Sequence, residues 1–323
     1  MTDDFFQPVS GITLARYAGV PTFMRLPHLP PGHPRRAEVD VGLIGMPWDG
    51  GTSNRPGARH GPRALRDAST MIREMNRATG VEPFKAMNIA DLGDAAMSPV
   101  GQDGALAALT DTIRTAVGHG IRPLSVGGDH LCTLAVLRAL GGPPPGLVLL
   151  DSHTDLFPPY FGGAALTHGN PFRQAAAEGL IDPARSTMIG MRGTAYGTDD
   201  FDHADELGIR IVTTDRMLQD GLADTAALAR ERAGQGPVYL SFDIDFVDPA
   251  FAPGTGTPEV GGPTSQQALT VLRALAGLDL VGADLVEVSP PFDTGGITSW
   301  LGASVLFELL CLMAPQGRSF KVA

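Results

Sequence analysis

Four stretches of this chain carry acids and histidines at intervals that can do chemistry. The most concentrated is Asp151-Ser152-His153-Thr154-Asp155, which follows the apolar run Gly146–Leu150 and precedes a loop rich in Pro and Gly. Side chains two apart in extended chain point the same way, so Asp151, His153 and Asp155 can converge on one spot. Close carboxylates repel, and a bound cation is the usual remedy. The other stretches are Gly127-Gly128-Asp129-His130, Ser241-Phe242-Asp243-Ile244-Asp245 running on to Asp248-Pro249, and Glu287-Val288-Ser289. Each ends an apolar run of its own.

Taken singly, each has a plain explanation. His130 follows two glycines at a helix start and reads as a cap or a core histidine. Asp248 before Pro249 reads as a turn former. Asp243 and Asp245 inside an apolar strand would need two separate partners, and a buried Glu287 is costly without a cation or an internal Arg. Taken together, two histidines and at least four aspartates supply imidazole and oxygen donors without thiolate. That mix suits Mn, Ni, Co or Zn. Six ligands, with carboxylates able to bridge, exceed the needs of one tetrahedral ion. The natural arrangement is two ions about 3.5–4 Å apart, which acidify a shared water at neutral pH.

For these groups to meet, the runs before them must be neighbouring strands. Strands are expected at Val39–Ile44, Asn88–Leu92, Arg122–Val126, Leu147–Leu150, Thr187–Gly190, Ile209–Val212, Pro237–Phe242 and Val281–Val286. Helices are expected at Gly61–Met75, Asp103–Gly118, Leu131–Leu140, Asn170–Glu178, Asp200–Glu206, Asp224–Arg232, Thr264–Leu275 and Ser299–Met313. The strands are short apolar runs without polar alternation, as in a parallel sheet covered on both faces. A doubly wound sheet and a barrel both fit, and both place the site at the carboxyl ends of the strands. One domain over 1–323 is expected, with 1–38 a Pro-rich irregular arm across the surface.

The net charge of −11 makes nucleic acid a poor partner. The two cysteines, Cys132 and Cys311, lie in apolar helical contexts and read as buried free thiols in a reducing cytoplasm. No secretory signal pattern opens the chain. The apolar segment Trp300–Met313 is too short to span a bilayer and carries Glu308, so no membrane association is expected. No G-x-G-x-x-G follows a strand, and neither a phosphate-binding P-loop nor a G-x-S-x-G elbow occurs.

The stretches GGDH (127–130), DSHTD (151–155), SFDIDFVDP (241–249), AFAPGTGTPEVGG (250–262) and EVSPPFD (287–293) resemble the signatures of the ureohydrolases, the arginase and agmatinase family. PWDGGTSNRPGARHGPR (47–63) is similar to the agmatinase-like branch. The resemblance implies a three-layer α/β/α fold around an eight-stranded, mainly parallel sheet. It implies two ions, usually Mn(II) with Ni(II) known in related enzymes. One would be held by His130, Asp151, Asp155 and Asp243, the other by Asp151, His153, Asp243 and Asp245. It also implies homotrimers or homohexamers. Asp155 would orient the nucleophile and pass a proton, His168 would shuttle it, and Glu287 would bind the guanidinium. Ser152 and Asn170 depart from the commoner residues at their positions, which touches substrate choice rather than reaction type.

The loop 156–167 is expected at the pocket mouth, where Tyr160 is the candidate substrate contact. The loop carries no charge, which disfavours arginine. The stretch 70–84 resembles the guanidinobutyrase and guanidinopropionase branch and 16–28 resembles proclavaminate amidinohydrolase, so a linear guanidino acid is expected ahead of agmatine, guanidine or a proclavaminate-type substrate. Arg55, Arg59 and Arg192 are candidate partners for an acidic tail, though packing roles suit each. A protein that binds guanidino ligands without turnover and an amide-type hydrolase with one metal are the rivals. Urea release separates the first, and metals per chain the second.

Overall fold

The computed structural model describes residues 3–315. An eight-stranded sheet forms its centre, in the order β2-β1-β3-β8-β7-β4-β5-β6. In chain order the elements begin β1 (Val41–Gly45), α1 (Gly61–Ser69), α2 (Pro83–Ala86), β2 (Ile89–Asp94), α3 (Gln102–Gly118), β3 (Arg122–Val126) and α4 (Leu131–Leu140). There follow β4 (Gly146–Leu150), α5 (Pro171–Ala177), β5 (Thr187–Met191), α6 (Asp199–Leu207), β6 (Arg210–Thr213) and α7 (Thr214–Asp220). The chain continues through α8 (Leu222–Ala233), β7 (Pro237–Asp243), α9 (Ser265–Ala274), β8 (Asp279–Val286) and α10 (Ile297–Met313). Every strand pair is parallel. The expected three-layer fold is therefore the observed one, and a closed barrel is not formed.

The strands lack polar alternation because both faces are covered. In β4, Leu147 and Leu149 pack under α3, α4 and α5, while Val148 and Leu150 pack toward α8, α9 and α10. The helix α10 is apolar all round because it is nearly all buried. Its Glu308 is accommodated by Arg273 at 2.5 Å and by the Asn76 amide at 2.8 Å. Among the described residues no helix is long and apolar enough to cross a membrane.

Two expectations are corrected. The helix expected over 61–75 stops at Ser69. There Ser69 Oγ donates to the Arg66 carbonyl and Thr70 Oγ1 to the Asp67 carbonyl, so side chains compete for the groups that would extend the helix. The helix α7 was not anticipated, although Thr213 caps it by accepting from the Arg216 N–H. The arm is irregular, with short 3-10 turns, and it is pinned rather than loose. Phe23 N–H donates to Asp91 and Met24 N–H to Ser69 Oγ.

The four strands that end in polar clusters, β3, β8, β7 and β4, are consecutive neighbours at the middle of the sheet. Being parallel, they deliver those clusters to one rim, the usual location of a site in an open α/β sheet.

Candidate metal centre

His130 stands at the start of α4, behind Gly127 and Gly128, both at positive φ. A Cβ on Gly128 would lie 2.6 Å from the Met46 carbonyl oxygen, so only glycine lets the chain turn here. The turn aims His130 Nδ1 at three carboxylates. It lies 3.1 Å from Asp151 Oδ2, 2.9 Å from Asp155 Oδ2 and 3.2 Å from Asp243 Oδ2. His153 Nδ1 lies 3.2 Å from Asp245 Oδ2 and 3.6 Å from Asp151 Oδ1. Two groups, His130–Asp151–Asp155 and Asp151–His153–Asp245, bring their ligand atoms within 4.8 Å of one another, close enough to hold a metal ion. Asp151 belongs to both.

The donors fit a cation. His130 Nδ1, Asp151 Oδ2 and Asp245 Oδ2 are buried and have no hydrogen-bond partner. Buried polar atoms are rarely left in that state, and a pair of divalent ions, one at each group, would satisfy them. The electrostatics agree. Burial, then Asp245 and Asp151, push the Asp243 carboxyl well above its ordinary range. Burial and the neighbouring Asp151 push Asp155 up to about 6. Burial would lower the His130 ring, but Asp151, Asp155 and Asp243 hold it well above its usual value. Asp245 is the exception: burial would raise it, and His153 and Ser152 override that and hold it below the usual range.

A pH dependence follows. A metal must displace the protons that His130, Asp155 and Asp243 retain. Mn(II) affinity is therefore expected to rise with pH, steeply as Asp155 ionises around pH 6. Calorimetric titration in two buffers of different ionisation enthalpy reads the protons released. Affinity that is flat between pH 5.5 and 8 would contradict this.

Backbone conformation marks the same place. Asp155 (φ 52°) and Glu287 (φ 63°) are among the few non-glycine residues at positive φ. Such strain persists where the surroundings over-determine it, and it clusters at functional sites. Glu287 Oε1 accepts from His130 N–H at 2.9 Å and from His168 Nδ1 at 2.8 Å, while Oε2 is buried and unpartnered. Burial would lower His168, but Glu287 raises it to about 9. Its Nε2 lies 3.1 Å from Ser53 N and 2.6 Å from Ser53 Oγ. The neutral ring accepts from Ser53 N–H, and the imidazolium can donate to Ser53 Oγ instead.

A cavity of about 400 Å³ opens over these groups, with Asp155, His168, Asp243, Asp245 and Glu287 in its lining. Tyr160 lines it as expected, in an aromatic cluster with Phe157, Phe161 and Tyr196 at the mouth. His130, Asp151, His153, Asp155, Asp243, Asp245, His168, Glu287 and Tyr160 thus lie together at one rim. Asp248 does not: it shapes a turn by accepting from the N–H groups of Ala250, Gly261 and Gly262. The three candidate arginines are occupied elsewhere. Arg55 donates to the Thr255 carbonyl, Arg59 pairs with Asp49, and Arg192 donates to the Phe246 and Glu259 carbonyls.

Sequence reasoning overlooked Glu259, which lines the cavity with Oε1 3.9 Å from His153 Nε2. It also overlooked Ser53, Ser241 and Asp284. Ser53, Ser241 and Glu259 lie inside the family-like stretches 47–63, 241–249 and 250–262, which was the available signal.

The chain matches the arginase family model over residues 39–312. It is 50% identical to guanidinopropionase of Pseudomonas aeruginosa, across 97% of this chain and 98% of that protein. It is 45% identical to guanidinobutyrase of the same organism, again across 97% and 98%. Among solved structures, proclavaminate amidino hydrolase from Streptomyces clavuligerus superposes with a TM-score of 0.86 at 44% identity, covering 92% of this chain and 98% of that one.

Proposed function

The chain belongs to the arginase family, a metal-dependent amidinohydrolase lineage, and on that premise we propose that it hydrolyses a linear guanidino acid to urea and an amino acid. 3-Guanidinopropionate and 4-guanidinobutyrate are the preferred candidates. The observation that carries the reaction is the convergence of unpartnered buried donors, His130 Nδ1, Asp151 Oδ2, Asp245 Oδ2 and Glu287 Oε2. The identity to guanidinopropionase supports the acidic substrate.

His130, Asp151, Asp155 and Asp243 would hold one ion, and Asp151, His153, Asp243 and Asp245 the other. Mn(II) suits this oxygen-rich, thiolate-free set, and Ni(II) fits the same donors. Bound ions of this kind supply Lewis acidity, which brings the pKa of water down to near neutrality. The protein supplies the rest. Glu287 lines the cavity, and its Oε2, buried and without a partner, would accept the guanidinium N–H groups. Its other oxygen is held by His130 N–H and the His168 ring, so the carboxylate cannot turn away. Asp155, with its raised pKa, can take a proton and return it to the departing amine. His168 and Ser53 continue from that floor to the exposed rim and carry protons outward. Tyr160 and Asn54 would meet the tail of the substrate at the mouth.

One observation favours a second reading. The cavity lining contains Glu259 and neither Lys nor Arg. That suits the ammonium of agmatine better than a carboxylate. A substrate panel decides, with urea release measured for both guanidino acids, agmatine, arginine and guanidine in Mn(II) and in Ni(II). Charge of the wrong sign costs several kcal/mol at close range, so the preferred tail should lead by roughly 100-fold in kcat/KM. We expect a guanidino acid to lead. A lead by agmatine would overturn the acid reading, and urea from none of them would leave only a binding protein.

We further propose a trimer or hexamer in solution. Ile12, Tyr17 and Val20 of the arm are exposed apolar residues available for such contacts.

A further inference from the structure

Asp284 is wholly buried in the middle of the sheet, on β8 opposite Ser241 of β7. No cation pairs with it among the described residues. Its partners are hydroxyls: Ser241 Oγ donates to Oδ1 at 2.6 Å, while Tyr239 Oη and Thr133 Oγ1 donate to Oδ2 at 2.7 Å each. Burial leaves its pKa above the ordinary carboxylate value, with the His130 ring and the three donors pulling it down. A carboxylate in such a place is costly, and nothing in the mechanism above uses it.

Proton counting shows what it can do. An ionised carboxylate only accepts, and a serine hydroxyl has one proton to give. Ser241 gives that proton to Asp284, so its oxygen is left as an acceptor. The group facing that oxygen is His130 Nε2, at 2.8 Å. The proton of the neutral ring therefore sits on Nε2, and Nδ1 keeps its lone pair. Nδ1 is the atom aimed at Asp151, Asp155 and Asp243. The side-chain chain is complete: carboxylate, hydroxyl, imidazole, and the position of the ion.

We propose that Asp284 is a positioning residue that acts through Ser241 to hold His130 in its metal-binding tautomer and orientation. The proposal rests on the reading of His130 as a ligand. It predicts loss of one ion rather than of the fold, because the other ion has His153 as its imidazole.

Two pairs of variants separate this from a purely structural staple. Ser241→Ala removes the acceptor. Asp284→Asn turns the relay round: its oxygen serves the side where Tyr239 and Thr133 both donate, so its amide faces Ser241, whose proton must then point at His130. Tyr239→Phe and Thr133→Val each remove a bond to the same carboxylate but leave the relay intact. Mn(II) binding to full-length, metal-stripped protein is measured by chelator competition, with metal counted per chain and the spin-coupled electron paramagnetic resonance signal recorded. Partners of this kind typically change metal affinity by about 10–100-fold.

Wild type should hold two ions. Ser241→Ala and Asp284→Asn should lose one of them by that factor and show uncoupled, mononuclear Mn(II), while Tyr239→Phe and Thr133→Val keep both. Should Ser241→Ala or Asp284→Asn fail to fold, Ser241→Cys, close in size and a poor acceptor, is read in the same assay and should behave as the relay variants do. Two ions held at wild-type affinity by the relay variants, or equal losses in Tyr239→Phe, would overturn the proposal while leaving the metal centre standing. A wild type that takes up fewer than two ions would overturn the centre itself.

Discussion

Replacing Asp243 with alanine is expected to abolish urea production, a loss on the order of 10⁴-fold, as when a catalytic constellation loses a charged member. The residue ends β7, with Oδ2 3.2 Å from His130 Nδ1 and Oδ1 accepting the Asp245 N–H at 2.8 Å. In the proposed centre it would help to hold both ions, so its removal should lower metal content as well as turnover. Stability should move the other way in metal-free protein. The Asp243 carboxyl has its pKa raised by burial and by Asp245 and Asp151. A carboxyl with a raised folded pKa works against folding once the pH exceeds its unfolded value, because the unfolded chain then releases the proton more readily. Metal-stripped Asp243→Ala should therefore melt no lower than metal-stripped wild type at pH 8. Turnover surviving in stripped Asp243→Ala would end the account of catalysis.

Glu287→Gln is expected to separate metal binding from substrate binding. Glu287 is not one of the six proposed ligands: its Oε1 is taken by His130 N–H and the His168 ring rather than by the acid cluster. The variant should keep its metals. Its amide oxygen would take over the contacts from His130 N–H and His168, which leaves the NH2 facing the guanidinium, donor against donor. Losing one partner of a buried charged pair costs about 2–5 kcal/mol, or roughly 30- to several-thousand-fold in kcat/KM. Most of this should appear in KM, since the contact is made in the bound state as well as in the transition state. Metal titration and steady-state kinetics on the same preparation check it. Unchanged kinetics would remove Glu287 from the site.

The legible part of this molecule was the part written locally. Short apolar runs ending in acids and histidines fix both the strands and the rim they share, because parallel strands must all end on one side. The reading needed no knowledge of strand order, and β3, β8, β7 and β4 prove to be neighbours. What escaped depends on contacts across the sheet. Asp284 looks like filler in an apolar run until pairing sets it opposite Ser241. Glu259 is ninety-one positions beyond His168 in the chain, yet both line one cavity. The end of α1 was misread because Ser69 and Thr70 bond backbone through their side chains, which hydrophobic periodicity does not register. Ser53 reads as a loop residue until His168 Nε2 is found beside it.

The central claim is tested most directly by a crystal of Mn(II)-loaded protein measured at the manganese absorption edge. The account predicts two anomalous peaks per chain about 3.5–4 Å apart, one beside His130 Nδ1 and Asp155, the other beside His153 Nδ1 and Asp245, with Asp151 and Asp243 reaching both. A single peak, or peaks away from these six side chains, would contradict it.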